Sequence, residues 1–265
     1  MLACADQGAR KMGKLRPVQK SAKRWGVSAG LLCALLGTSA SGDQIEGNGV
    51  EQIFGLLGDL SLYGNFGKGS RWLYETDLLL AGNQIGSLYP SSDQFMTFSA
   101  AGSYTSLGYM IDESQVVYVG YGFQHVLEPL ASQPTNESRV WQQYNREFFT
   151  ETGGYKLISR LEERTVNNGA GLAMRARQLG QWTYPLSDDW YLIGIEEVFF
   201  NLNTVSWGPV SGFDQNRLFL GVGYRFNEIT RAEVGYLNNY INRDLVSDLD
   251  VSFMTMNLYV DLTER

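Results

Sequence analysis

The residues of this chain best placed to do chemistry are arginines and carboxylates that recur two positions apart. Arg160, Glu162 and Arg164 form one such run, Arg175 and Arg177 a second, and Arg231 and Glu233 a third; Arg139, Glu197, Arg217 and Arg225 extend the set. A spacing of two puts side chains on one face of a β-strand. These groups therefore share a face and must look into the same surroundings. Two kinds of chemistry suit such a face. One is a charged lining that selects or guides a solute, as rings of charge do in pores. The other is a mutually satisfied ion-pair network that fills a narrow barrel. The second is favoured, because barrels of modest strand number are filled largely by their own side chains.

His125 is the only histidine. It could act as the base of an outer-membrane lipid-modifying enzyme if a nucleophile and an acid converged on it, with Glu128 close in sequence and Ser132 or Ser138 within spatial reach. No motif joins these residues, so the expectation is a polar rim residue and no enzyme. One histidine and no cysteine after residue 42 argue against a zinc site, and no cofactor is implied. Asp244, Asp248 and Asp250 could hold Ca²⁺ loosely, but a solvated acidic loop is the simpler expectation. Gly120-Tyr-Gly122 and Gly221-Val-Gly223 fall inside strand-like segments, where glycine serves bends or close packing in a curved wall and not phosphate binding. Phe213-Asp-Gln-Asn-Arg217 stands where a long link re-enters the wall and is suited to pinning that link across the lumen.

Residues 1–42 differ in kind from the rest. They hold seven of the 21 Lys and Arg but only one of the 28 acids, Asp6. An apolar run from Trp25 to Leu36 follows, and small residues from Gly37 to Gly42 close the segment. A basic stretch, a short greasy stretch and a small-residue exit describe a cleaved signal peptide; cleavage after Ala40 or after Gly42 fits, and Met12 is an alternative start. The remainder keeps 14 bases against 27 acids, a net charge near −13. That sign excludes a nucleic-acid binder. Both cysteines, Cys4 and Cys33, leave with the signal segment, so residues 43–265 contain no thiol framework. Twelve of the 14 remaining bases are Arg, the cation suited to enclosed pairs with carboxylates.

What positions the charged groups is an alternation that runs through residues 43–265. Met254, Met256, Leu258, Val260 and Leu262 oppose Thr255, Asn257, Tyr259 and Asp261; Leu218, Leu220, Val222 and Tyr224 oppose Gln215, Arg217, Gly221, Gly223 and Arg225. Strands are expected at about 56–66, 70–81, 96–111, 114–127, 137–149, 155–167, 170–184, 189–201, 214–226, 228–241 and 249–263. Tight turns such as Asp112-Glu113 and Asn227-Glu228 alternate with longer links at 82–95, 128–136, 202–213 and 242–248. Short turns on one side and long loops on the other are the pattern of outer-membrane barrels, whose short turns face the periplasm. Several arginines on one face of one strand cannot face lipid, where each would cost about 2–4 kcal/mol near the midplane. They must line the lumen, with the aliphatic rows outward. The expected fold is an all-β, antiparallel, up-and-down transmembrane β-barrel in the bacterial outer membrane. Eleven segments are visible, and the even-number habit of such barrels favours twelve strands, with one more inside 44–54; ten, without 56–66, is the alternative.

From Glu137 onward the chain also resembles a known family. Glu137-Ser-Arg-Val-Trp141, Leu157-Ile-Ser-Arg160-Leu-Glu162-Glu-Arg164, Met174-Arg-Ala-Arg177, Ile195-Glu-Glu197-Val-Phe-Phe-Asn201, Phe213-Asp-Gln-Asn-Arg217 and Glu233-Val-Gly-Tyr236 are together similar to the bacterial family catalogued as domain of unknown function 2490. The resemblance covers roughly residues 55–262 and implies an exported outer-membrane barrel with no assigned activity. One departure is the chain end, Leu262-Thr-Glu-Arg265, where many such barrels finish on an aromatic that assembly machinery reads. The expected function is a passive channel or structural wall protein, with outer-membrane lipid and the barrel-assembly machinery as partners and no nucleic acid. An adhesin or receptor working through its loops is the other alternative. Oligomeric state is not legible.

Overall fold

A computed structural model describes residues 50–83, 96–128, 130–131, 133–150, 152–243 and 247–264. The signal segment 1–42, Ser132, Asp244 and most of the 82–95 link lie outside these residues. Eleven strands follow one another: β1(Val50–Asn65), β2(Trp72–Asn83), β3(Thr97–Met110), β4(Gln115–Val126), β5(Thr135–Thr150), β6(Gly153–Val166), β7(Ala173–Pro185), β8(Trp190–Asn201), β9(Gly212–Arg225), β10(Thr230–Ile241) and β11(Asp248–Asp261). Each pairs with its neighbours in sequence, and β1 pairs with β11 to close the barrel.

The expected twelve strands, or ten, are corrected to eleven among the described residues. Residues 50–54 are the start of β1 and not a separate strand, and 56–66 lies in the wall. The parity follows from the closing pair. In a meander every neighbour is antiparallel, so an odd number of strands must close with a parallel pair, and β1 runs parallel to β11 from Val50↔Asp248 to Tyr63↔Asp261. Val50 and Asp261 consequently lie at opposite ends of the barrel.

The alternation dictates the wall. Along β6 the burial runs strictly in and out, with Lys156, Ile158, Arg160, Glu162 and Arg164 inward and Tyr155, Leu157 and Ser159 outward. At a rise of about 3.3 Å per residue and a tilt of about 40°, strands of 12 to 16 residues span about 30–40 Å along the axis. The tight turns are built by short polar side chains. Asp112 accepts the Ser114 amide at 2.8 Å, and Asn227 accepts the amides of Ile229 and Thr230, each at 2.8 Å.

An interior of this width needs large side chains. Eight strands enclose a space just filled by side chains and sixteen leave a channel, so eleven demand bulky fillers. Trp141, Tyr104, Phe199, Phe219, Phe253 and four fully buried arginines meet that demand. Glycines on the lumen face make room for the rings. A Cβ on Gly120 would lie 2.2 Å from the Trp141 ring, and one on Gly223 would lie 2.0 Å from Tyr191. Apolar residues pack the rest of the interior, chiefly Ile53, Leu57, Leu79, Leu237, Val251 and Phe253.

Candidate functional site

The lumen holds two separate polar clusters. The first lies on β5–β9, in the half of the barrel where the long loops emerge. Its centre is Glu162, fully buried, on the inward row of β6. Arg175 Nη2 reaches its Oε2 at 2.6 Å and Arg177 bonds its Oε1. Arg160 and Arg139 approach at 3.6 and 3.8 Å. Glu137 receives Arg164, at 2.8 Å, and Arg139. Glu197 receives Arg177 at 2.6 Å, and Asp214 receives Arg175 at 3.1 Å. Arg217 donates to Asn239 and Gln215, both at 2.9 Å.

One ring organises the cations. Phe199, itself fully buried, has the guanidinium carbons of Arg175, Arg177 and Arg217 at 4.9, 4.7 and 4.6 Å from its centroid. A cation over an aromatic face is attracted by the ring quadrupole. Three guanidinium groups can therefore crowd there without facing one another directly. Trp141 does the same for Arg160 at 4.8 Å.

Residues of two links pack onto the loop end of this cluster. Trp207, in the β8–β9 link, lies 5.4 Å from the Arg164 guanidinium and donates its indole N–H to the Gly171 carbonyl at 3.2 Å. Leu130 and Ala131, in the β4–β5 link, are buried within the interior cluster. Residues 213–217 secure the re-entry of the β8–β9 link through Asp214 on Arg175, with a bulge beside Phe200 that turns Asp214 and Gln215 inward.

The second cluster lies on β8–β11, β1 and β2, toward the tight turns. Tyr191 and Tyr259 donate to Glu233 at 2.7 and 2.9 Å. Arg231 donates to the Tyr63 hydroxyl at 2.6 Å and stacks 4.1 Å from the Tyr259 ring. Arg225 covers Tyr191 at 4.5 Å. Next to this group stand Asp59, Ser61, Glu75 and Asp77, all buried.

The charged residues singled out by spacing thus divide between the two clusters. Arg139, Arg160, Glu162, Arg164, Arg175, Arg177, Glu197 and Arg217 meet in the first. Arg225, Arg231 and Glu233 meet in the second, where Arg225 and Arg231 are half-buried. Spacing missed Glu137, Asp214, Phe199, Tyr191, Tyr259 and Asp59 as site residues. The same in-out rule carries them: Asp59 shares a row with Leu57, Ser61 and Tyr63, and Phe199 with Glu197 and Asn201.

His125 stands apart from both. It lies half-buried on the outward row of β4, near the loop end, with Nδ1 2.6 Å from Asn136 Oδ1. The Ser138 hydroxyl shares a hydrogen bond with Tyr121 at 3.1 Å, and Glu128 is exposed. Asp250 accepts from Asn238, and Asp248 from the Arg243 amide at 2.9 Å, so both have protein partners. No three His, Cys, Asp or Glu among the described residues are arranged to hold a metal ion.

Comparison with known proteins finds a relative and a family and adds no activity. An uncharacterised protein of Methylorubrum extorquens is 29% identical over 161 residues, covering 58% of this chain and 69% of that protein. A family model described as protein of unknown function, DUF2490, matches residues 59–249, and on that match the chain belongs to this family.

Proposed function

We propose that the protein is a closed wall barrel of the bacterial outer membrane, non-enzymatic and not conducting in its resting form. The observation that carries this reading is the inverted distribution of polarity. Charged side chains are buried inside, while Leu80, Leu220 and Met256 stand about 60% exposed on the outside. A water-soluble barrel would place these rows the other way round.

The outer face is graded as a bilayer is. Aliphatic residues occupy the mid-wall: Leu56, Leu78, Val119, Val140, Leu218 and Val234. Aromatics gather toward the turns, with Trp72 against Tyr109, Trp182 against Tyr184 and Trp190 against Tyr224. A second set stands toward the loops, including Phe54, Phe98, Phe123 and Phe213. Two aromatic belts about an apolar band of about 25 Å mark membrane barrels. The polar groups on this face pair across strands, Ser159 with Gln178 at 2.6 Å and Tyr236 with Ser252 at 2.7 Å. Such pairing is what polar groups need in a medium without water.

The filling of the lumen by side chains favours a wall role over a channel. Ion pairs fill the loop half, tyrosines and acids the turn half, and Trp207 and Leu130 pack onto the loop end. On this reading the partners are outer-membrane lipid and the machinery that inserts barrels. The protein refolded into planar bilayers should show no conductance steps under moderate voltage; regular steps would make it a channel. Fractionation of the producing cells should place it with the outer membrane. Lipid profiles unchanged by His125→Ala would separate the wall reading from that of a lipid-modifying enzyme.

A further inference from the structure

Six orphaned polar atoms meet in the turn half of the lumen. Both carboxylate oxygens of Asp59, Oδ1 of Asp77, Oγ of Ser61 and both side-chain heteroatoms of Asn257 are buried without a well-formed hydrogen bond, the Ser61 hydroxyl lying close enough to Asp77 to bear on its charge. The strand registers make them neighbours. Asp59 is level with Asn257 across the β1–β11 pair, and Ser61 is level with Asp77 across β1–β2. Ser61 and Asn257 are fully buried, so water outside the barrel does not reach them.

The charges around this group add to the demand. Glu75 and Glu233 lie close enough to Asp59 to reinforce its negative field. Arg160 is the cation whose field reaches Asp77, yet it is held by Gln143 at 2.5 Å, by the Trp141 ring and by Glu162. Of the other cations near Glu75, Arg231 donates to Tyr63, and Lys156 stands 3.6 Å from Glu147 with its Nζ buried and not hydrogen-bonded, so its charge bears on Glu75. Buried water could satisfy a hydroxyl and an amide, but it cannot neutralise two carboxylates.

We infer that Asp59, Asp77, Ser61 and Asn257 form an internal site for one hard divalent cation of calcium's size. Two aspartates balance a double charge, and the Ser61 hydroxyl and Asn257 amide oxygen supply neutral oxygen ligands. Calcium accepts such mixed oxygen sets in flexible geometry, whereas magnesium demands a near-ideal octahedron. The two aspartates alone do not amount to a three-acid cluster; the neutral oxygens complete the set. Because Ser61 and Asn257 are fully buried and Asp59 and Asp77 nearly so, the ion enters as the barrel forms. The inference concerns the interior and stands whether or not the wall faces lipid.

The test refolds the full chain into detergent micelles with calcium chloride or with a chelator, then washes with excess magnesium to strip ions from surface carboxylates. The expected result is one retained calcium per chain and a higher unfolding temperature than in the chelator. Asp59→Asn and Asp77→Asn should retain none and lose the calcium-dependent rise. Asn257→Leu keeps both charges, and its affinity should fall by about tenfold or more, as on removing a supporting ligand. Folding of each variant is checked by far-ultraviolet circular dichroism. Wild-type protein that retains no calcium would overturn the inference. Undiminished retention in the Asp59→Asn and Asp77→Asn variants would do so too, as would stabilisation by acid in place of calcium, which would show that the carboxyls are neutralised by protons.

Discussion

The two polar clusters of the lumen are made of the same residue types and differ in how completely they are matched. On β5–β9, Glu162 alone is approached by four arginines, and Phe199 and Trp141 face the cations that remain crowded. On β8–β11, β1 and β2, Glu233 is matched by two tyrosines, while Asp59 and Asp77 retain oxygens with no donor. A buried charge is tolerable only when paired and hydrogen-bonded. The first cluster meets that condition for its carboxylates, each of which has a guanidinium partner, although Glu197 Oε2, Gln215 Nε2 and Asn239 Nδ2 make no hydrogen bond. The second leaves it unmet at two adjacent carboxylates. Burial of polar groups is therefore not one property of this barrel: it locks the loop half and leaves carboxylate oxygens without a donor in the turn half.

The sharpest way to break the contrast is to remove its centre. Glu162→Leu strips the shared acceptor from four buried arginines and should cost about 3–5 kcal/mol, read from the denaturant midpoint of the refolded barrel. A loss below about 1 kcal/mol would mean that water reaches the cluster and screens it. Next in size is a charge on the outer wall. Leu80→Arg or Leu220→Arg should cost about 2–4 kcal/mol in lipid vesicles, and equilibrium unfolding with no such loss would place those rows in water. The second cluster should respond in the opposite sense from the first. In chelator, Asp59→Asn removes an unmatched charge and should stabilise the barrel by about 1–3 kcal/mol, measured as a rise in the denaturant midpoint. Destabilisation there would show that Asp59 already has a counter-charge. The smallest effect is expected at His125, outside both clusters. His125→Ala gives up a hydrogen bond to Asn136 and should change stability by about 1 kcal/mol or less, whereas a large change would give that rim a structural weight its surroundings do not suggest.

Alternation alone was enough to give the chain its inside and outside. The rows Arg175 and Arg177, Arg217 and Arg225, and Thr255 to Asp261 could be read as inward because a strand's side chains alternate by geometry and several arginines on one face cannot all meet hydrocarbon. The eleven segments, the tight turns at Asp112 and Asn227 and the dense packing at Gly120 and Gly223 were legible for similarly local reasons. The partners were not. That Arg175 reaches Glu162 on one side and Asp214 on the other depends on strand register and barrel closure, and Asp214 faces inward only through a bulge in β9. Nor could local pattern show that Trp207 would fold over Arg164, since a link carries no periodicity to say where it comes to rest.

Strand count sits at the boundary between the two. Every wall segment was visible, yet parity was misjudged, because the parallel β1–β11 pair joins residues about 200 positions apart and leaves no mark in either segment. The sequence by itself determined a polar-cored, apolar-faced β wall, since that needs only a period of two and the high cost of charge in hydrocarbon. Only the tertiary structure decided which charges meet, which stand unmatched and whether the lumen is open, because each depends on contacts between residues far apart along the chain.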